Sequence, residues 1–310
     1  MPVLLNVVAP VFGILGLGFL AARLRVLDTS GIRGLVLFVF YFAIPVLLFR
    51  SLAELTLPDV IPWAFLAAFY VGALSVYAAG MALARWRYDR PLKDQAIWGM
   101  AAGFSNTVLL GIPIVLTGLG PEASLPLFLI IGFHSAVLMP VTVAILHLDA
   151  GEVKSRSGRA AVVVREIVRN PIVMGLALGL LANVAGFALP GPLDRMAELL
   201  GGAAVPCALF AMGASLAAYP AGGDTPPALA LTTLKLVVHP LIVWVLLGPV
   251  LGLEGVWLST GVVVAAMPTG VNVYLFAARY DAAPSVAART VLLASALSVV
   301  TVSFLLVALA

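Results

Sequence analysis

Asn106 and Asn272 each stand, close to Gly and Pro, inside a segment otherwise apolar enough to cross a membrane. The first segment reads F-S-N-T-V-L-L-G-I-P from Phe104 to Pro113, and the second A-M-P-T-G-V-N from Ala266 to Asn272. Proline in a helix interior removes one backbone donor and clashes with the carbonyl four residues earlier. Pro113 is therefore expected to free the Leu109 carbonyl, and Pro268 that of Val264. Hydrocarbon offers no water to such groups, so a break survives only where protein or a wet cavity surrounds it. The half-helix starting at each break presents unpaired N–H groups and a partial positive charge, which together suit a carboxylate. The amides of Asn106 and Asn272 add donors without adding charge, and Ser105, Thr107 and Thr269 can supply further hydrogen bonds. Gly111 and Gly270 allow the two broken segments to cross closely, with Gly270 counted beside Thr269 in the substrate-binding set. The alternative is that all these groups merely satisfy broken backbone. For the prolines and glycines that building role is the main one, whereas the two asparagines read as cargo contacts by analogy with other broken-helix carriers.

Three ionisable side chains also stand inside apolar segments: His134, Lys235 and His239. Lys235 and His239 are four residues apart, hence on one helical face, with Thr232 on the same stripe. A charged lysine at mid-membrane costs about 2.5–3.5 kcal/mol on insertion scales. Lys235 must face protein, water or an anion, unless it lies near enough to the cytoplasmic end to snorkel. His134 reads either as a hydrogen-bonded core histidine or as one more polar contact for cargo. The acidic residues all lie in loops or near segment ends. Sodium and proton coupling commonly rely on an intramembrane carboxylate, so coupling of that kind is disfavoured and an anionic cargo is favoured.

Positioning these groups falls to membrane helices. The chain is 63% hydrophobic and 10% charged, against about 25% charged in soluble domains, and its mean hydropathy is +1.14. The fold class is an all-α polytopic membrane protein. A spanning helix needs about 20 apolar residues, and the qualifying segments are 3–22, 31–49, 61–84, 96–117, 124–147, 171–188, 196–218, 228–249, 256–278 and 286–309. Pro-Gly connectors such as Pro190-Gly191-Pro192 separate them. The hydrophilic stretch 149–169 leaves five segments on each side, giving a first repeat at 1–150, a cytoplasmic loop at 151–169 and a second repeat at 170–310. An odd number per half requires the repeats to be inverted. Ala43-Ile44-Pro45-Val46-Leu47-Leu48-Phe49 resembles Ala204-Val205-Pro206-Cys207-Ala208-Leu209-Phe210, and the broken segments then fall fourth and ninth. Gly175-x-x-x-Gly179 fits close helix packing, and Ser295, Ser298 and Thr301 read as packing groups on the tenth helix.

Basic loops stay in the cytoplasm. All Lys and Arg other than Arg50, Arg195 and Lys235 fall in alternate loops on one side, which puts both termini outside a plasma (bacterial inner) membrane. Cys207 is the single cysteine, which excludes an internal disulfide and a cysteine metal cluster and reads as a small buried hydrophobe. The N-terminus, M-P-V-L-L-N, lacks the positive region of a cleaved signal peptide. No aromatic-basic run points to nucleic acid, and no cofactor or metal site is expected. The chain has no D-D-x-x-D, no H-E-x-x-H and no convincing G-x-S-x-G, which argues against a membrane enzyme with catalytic residues.

Taken in order, F-A-I-P-V-L-L-F (42–49), N-T-V-L-L-G-I-P (106–113), R-N-P (169–171), K-L-V-V-H-P (235–240) and A-M-P-T-G-V-N-V-Y-L-F-A-A-R-Y (266–280) resemble the auxin efflux carrier family. Plant PIN exporters are its best-known members, within the superfamily of bile-acid, arsenite and riboflavin transporters, and bacterial members include proteins assigned as malate and malonate permeases. The resemblance spans essentially the whole chain. It implies ten helices in two inverted repeats, with broken helices 4 and 9 crossing in an X. It also implies a scaffold of helices 1, 2, 6 and 7 that forms a homodimer through helices 2 and 7, and a moving transport domain of helices 3–5 and 8–10. Two departures stand out. Residues 149–169 replace the long central loop of many plant members, which marks a bacterial type. Plant exporters also carry a second Asn, a substrate contact, directly after R-N-P, where this chain has Ile172.

The sequence thus reads as an elevator-type secondary carrier in the lipid bilayer, moving a small organic anion. Auxin-like indole acids, exported, come first. The alternatives are a malate- or malonate-type dicarboxylate permease or a sodium-coupled bile-acid-type symporter. From other classes, an anion channel also uses broken helices, and a polytopic enzyme acting on a lipid-linked substrate completes the field.

Overall fold

The computed structural model describes residues 7–57, 62–149, 170–219 and 224–309. The expected cytoplasmic loop at 151–169 and the first residues of the opening apolar segment lie outside the described residues. In chain order the helices are α1 Ala9–Arg23, α2 Thr29–Ala53, α3 Trp63–Tyr88, α4 Leu92–Gly103, α5 Thr107–Gly118, α6 Pro121–Leu148, α7 Pro171–Val184, α8 Gly191–Ala217, α9 Thr225–Val250, α10 Gly255–Ala265, α11 Asn272–Arg279 and α12 Pro284–Leu309. Of these, α2, α3, α6, α8, α9 and α12 are long and apolar enough to cross a membrane. The only β feature among the described residues is an isolated antiparallel bridge between Ser105 and Thr269. The fourth and ninth expected segments are each split, into α4 and α5 around Phe104–Asn106 and into α10 and α11 around Ala266–Val271.

The first split is not where the proline rule put it. α4 ends at Gly103 and Phe104 is extended (φ −86°, ψ 109°), whereas Pro113 lies well inside α5. A π turn at Thr107–Gly111 runs up to Ile112-Pro113. The same arrangement recurs twice: π turns at Val39–Ala43 and Leu234–Val238 precede Pro45 and Pro240. In those two turns Ile44 N–H donates to Val39 O and His239 N–H to Leu234 O. A wider turn moves the carbonyl four residues back away from the proline ring, so the helix continues through a residue that would otherwise break it. Pro268 does sit in the second split. The Val264 carbonyl is not freed there, because Met267 N–H donates to it at 3.2 Å, nor is Leu109 without a partner.

The chain forms two compact units. The first takes the described parts of Met1–Ile61, Val108–Gly132 and Ser157–Ala218. Here α1 meets α8 backbone to backbone: a methyl group at Gly213 would lie 1.8 Å from Leu15 O, and one at Gly18 2.1 Å from Phe210 O. α7 lies against α2 in the same manner, its Gly175 and Gly179 facing the Pro45 and Phe49 carbonyls, so the G-x-x-x-G spacing is a packing contact. Asn183 Nδ2 donates to the carbonyls of Leu52, Ala53 and Leu55, satisfying the otherwise orphaned end of α2. The Arg50 guanidinium donates to Asp194 at 2.8 and 3.4 Å and ties that end to the start of α8. At the other end of α2, Asp28 accepts the Gly31 N–H at 2.7 Å and the Ser30 hydroxyl. These two bonds, the backbone one foremost, hold the Asp28 carboxyl below its ordinary range. Cys207 is a free, half-buried thiol on α8.

The second unit takes the described parts of Pro62–Thr107, Phe133–Arg156 and Tyr219–Ala310. α3 and α4 pack through small residues, with Gly80 against the Trp98 carbonyl and Gly103 against that of Ala73. The Tyr77 hydroxyl, at 3.0 Å from both the Ala96 carbonyl and Thr142 Oγ1, links α4 to the later half of α6. α9, α10 and α12 pack together. On α12, Ser298 donates to its own helix at the Ser295 carbonyl, in keeping with a packing role. Large apolar side chains stand bare on both units, Val184 (75%) on the first and Val300 (70%) on the second among them. Hydrocarbon, not water, is the solvent that suits such faces.

Candidate functional site

Of the polar residues singled out in the sequence, Ser105, Asn106, Thr269, His134, Lys235 and His239 are joined by hydrogen bonds inside the second unit, around the Ser105–Thr269 bridge. Asn106 N–H donates to Pro268 O at 2.8 Å, and Gly270 N–H to Phe104 O at 3.0 Å. Thr269 Oγ1 donates to Ala101 O at 2.8 Å. Two non-helical stretches thus satisfy each other's backbone in the interior, as burial of broken helices requires. A side chain at Gly270 would collide with the Phe104 ring at 2.8 Å, so this glycine builds the bridge, and its N–H is spent there.

Lys235 is the largest departure from an ordinary core residue. It is fully buried, which removes the snorkelling alternative. Its Nζ lies 2.7 Å from Ser105 Oγ, 2.9 Å from His239 Nδ1 and 2.5 Å from Ala265 O. Three acceptors match the three donors of an ammonium group, and no carboxylate pairs with it among the described residues. Ala265 is the last residue of α10, and Ser105 lies two beyond the end of α4. Lys235 Nζ therefore stands where the carboxyl ends of two half-helices meet, the place where the helix dipole favours a cation. The π turn Leu234–Val238 contains Lys235 and is followed directly by His239.

Both histidines are drawn into the same cluster. His134 Nε2 accepts the Ser105 N–H at 2.9 Å, and its ring lies 4.6 Å from that of Phe104, with Phe69 and Tyr70 on the flank. With Lys235 as donor, His239 Nδ1 accepts, so its proton sits on Nε2. By the same logic His134 carries its proton on Nδ1. Among the described residues neither of those outer nitrogens has a hydrogen-bond partner, nor does Thr232 Oγ1 on the turn before Lys235. Of the two expected cargo asparagines, Asn106 is buried within the bridge and Asn272 is half-buried at the first position of α11. Thr107 is buried beside Asn106.

The start of α11 is less open than the sequence suggested. The N–H groups of Val273 and Tyr274 donate to Gly270 O and Val271 O, because the chain enters the helix through a tight turn. At the other break the Thr107 N–H donates to Ser105 O. Gly111 and Pro113 belong to the first unit. Residues that sequence reasoning missed are Phe104, Phe69 and the Ala265 carbonyl. Only the last had a signal, as the final residue before A-M-P-T-G.

The sequence matches the Membrane transport protein family over residues 3–306. It is 31% identical over 306 residues to the "Putative malonate transporter" of Rhizobium meliloti (strain 1021), covering 97% of this chain and 94% of that one. Identity is 23% to auxin efflux carrier component 8 of Arabidopsis thaliana, over 89% of each chain. The lysosomal cholesterol signaling protein of Mus musculus is 25% identical over 66% of this chain and 25% of its own length.

Proposed function

The chain belongs to the Membrane transport protein family, and from that premise we propose that it is a secondary carrier of small organic carboxylates, with a malonate-type dicarboxylate as cargo. It is a multi-pass membrane transporter and not an enzyme. The sequence alone ranked indole acids first. The dicarboxylate reading is better supported, because the relative that shares the full length and the higher identity is named for malonate.

The observation that carries the reading is the buried amino group of Lys235 between two half-helix ends, with no carboxylate beside it among the described residues. Carriers with broken helices coordinate sodium through unwound carbonyls and half-helix carboxyl ends. Here the amino group of Lys235 occupies that position, which in its protonated form favours an anionic cargo over a sodium ion. Its hydrogens are already taken by Ser105, His239 and Ala265, so Lys235 acts on cargo through its field. Contact falls to the amides of Asn106 and Asn272 and the hydroxyl of Thr107.

In this reading the ten spans form two inverted repeats whose broken members cross, and the third to fifth and eighth to tenth spans carry cargo across the bilayer while the first, second, sixth and seventh stay fixed. Both termini face outward from a plasma (bacterial inner) membrane, since the basic loops then lie in the cytoplasm. A homodimer contact through α2 and α8 completes the elevator reading.

The test is uptake of radiolabelled malonate, malate, indole acetate and bile acid into proteoliposomes. Saturable malonate uptake with counterflow is expected, unchanged when potassium replaces sodium. Strict sodium dependence would favour a bile-acid-type symporter, indole acetate flux without malonate flux would restore the auxin reading, and flux without counterflow would mean a channel. In the same assay Asn106→Ala and Asn272→Ala should each weaken malonate affinity about 10-fold or more, the loss of one hydrogen bond to a charged group. Unaltered affinity in both purified variants would remove these amides from the site.

A further inference from the structure

We propose that His134 is the positioning residue that holds the α4–α5 break in register for cargo, acting through the Ser105 backbone and not on the cargo itself. The cargo part of this rests on the reading of the break as the cargo site; the latch part does not.

Across the break, every neighbouring backbone donor finds a backbone acceptor. Phe104 N–H reaches Met100 O, Asn106 N–H reaches Pro268 O, and Thr107 N–H reaches Ser105 O. Ser105 N–H alone is served by a side chain, His134 Nε2 at 2.9 Å. The same residue's hydroxyl accepts from Lys235 at 2.7 Å. Ser105 is thus fixed from two sides, its backbone by α6 and its side chain by α9. Asn106 follows directly, so the direction of its amide depends on how Ser105 is held.

His134 is also an unfavourable choice if filling the core were its whole purpose. It is almost wholly buried, yet Nδ1 has no partner among the described residues, and an unsatisfied buried donor costs about 1–3 kcal/mol. A leucine would fill the space without that penalty. What the imidazole provides and a leucine would not is a lone pair aimed at the Ser105 N–H, in a ring whose orientation is locked by Phe104 at 4.6 Å and by Phe69 and Tyr70. The side-chain carbonyl of glutamine can offer a similar acceptor, whereas leucine cannot.

Two measurements on purified full-length protein test this. Amide hydrogen exchange at Ser105 needs no cargo. In His134→Leu it should speed up about 10-fold or more relative to wild type, as expected for a buried bond lost, while His134→Gln should stay near wild type. Malonate affinity should follow the same order, falling about 10-fold or more in His134→Leu and remaining within about 3-fold in His134→Gln. Exchange at Ser105 that is equal in all three proteins would overturn the latch. Faster exchange in His134→Leu with unchanged affinity would overturn its role toward cargo. Loss of affinity in His134→Gln equal to that in His134→Leu would show that the ring's shape, and not its acceptor, matters, and would overturn the proposal as well. If wild-type protein binds no dicarboxylate, the cargo reading fails and the exchange result alone decides the latch.

Discussion

Lys235→Met is expected to abolish carboxylate uptake while leaving a folded protein. Two effects on stability oppose one another. Loss of the ammonium leaves Ser105 Oγ, His239 Nδ1 and Ala265 O without their donor, at about 1–3 kcal/mol for each acceptor left unsatisfied. Against that, a buried charge carries a desolvation penalty of several kcal/mol, roughly, which methionine does not have. The two are of similar size, so the melting temperature should move little. Transport has no such compensation, because the positive field between the ends of α4 and α10 is gone. Uptake should fall to the background of empty liposomes, a loss of about 100-fold or more if the field supplies about 3 kcal/mol. Lys235→Arg should also fail, since a planar guanidinium does not match three acceptors arranged around one nitrogen. Uptake above a tenth of wild type in Lys235→Met, with normal melting, would exclude Lys235 from the mechanism.

Gly213→Leu should act on assembly instead. A Cβ at this position falls 1.8 Å from the Leu15 carbonyl oxygen, a distance no rotamer can relieve, so α1 and α8 must separate. Overpacking costs about 1–3 kcal/mol where side chains can yield, and more where backbone opposes backbone. Membrane helices have no strong hydrophobic drive to reassociate and depend on this close fit. Aggregation on size exclusion, or a melting temperature lower by 10 °C or more (roughly, for a loss of several kcal/mol), is the expected result. Gly202→Ala is the control, because none of the described residues lies within 4 Å of a methyl group there. If Gly213→Leu elutes and melts as wild type does, the contact between α1 and α8 is not as drawn.

Much of this arrangement was legible in the sequence because hydrocarbon imposes simple rules. Charged residues are excluded, so apolar runs marked the helices, and Asn, Gly and Pro inside two runs marked both splits. Lys235 and His239 could be paired from their spacing of four. What could not be read was the acceptor set of Lys235, since Ser105, Ala265 and Lys235 come from three distant parts of the chain. The Pro113 expectation failed for a definite reason. The proline rule assumes an α-helical turn upstream, and Thr107–Gly111 is a π turn, in which the clash does not arise. His134 was legible as a polar residue in an apolar run, but its partner is a backbone N–H, which has no sequence signature.

The π turns also change how positions along these helices are to be compared. Each inserts, in effect, one residue into an α-helix, and one residue is about 100° of rotation. The stretch of α9 before Leu234 and the stretch from His239 onward therefore do not share one helical wheel. Thr232 and Pro240, assigned to faces by a single 3.6-residue count, would be placed about a quarter-turn out of phase with each other. The same holds in α2 on either side of Val39–Ala43. Spin labels or cross-linking cysteines for α2 and α9 should be laid out on two wheels, one for each side of the turn.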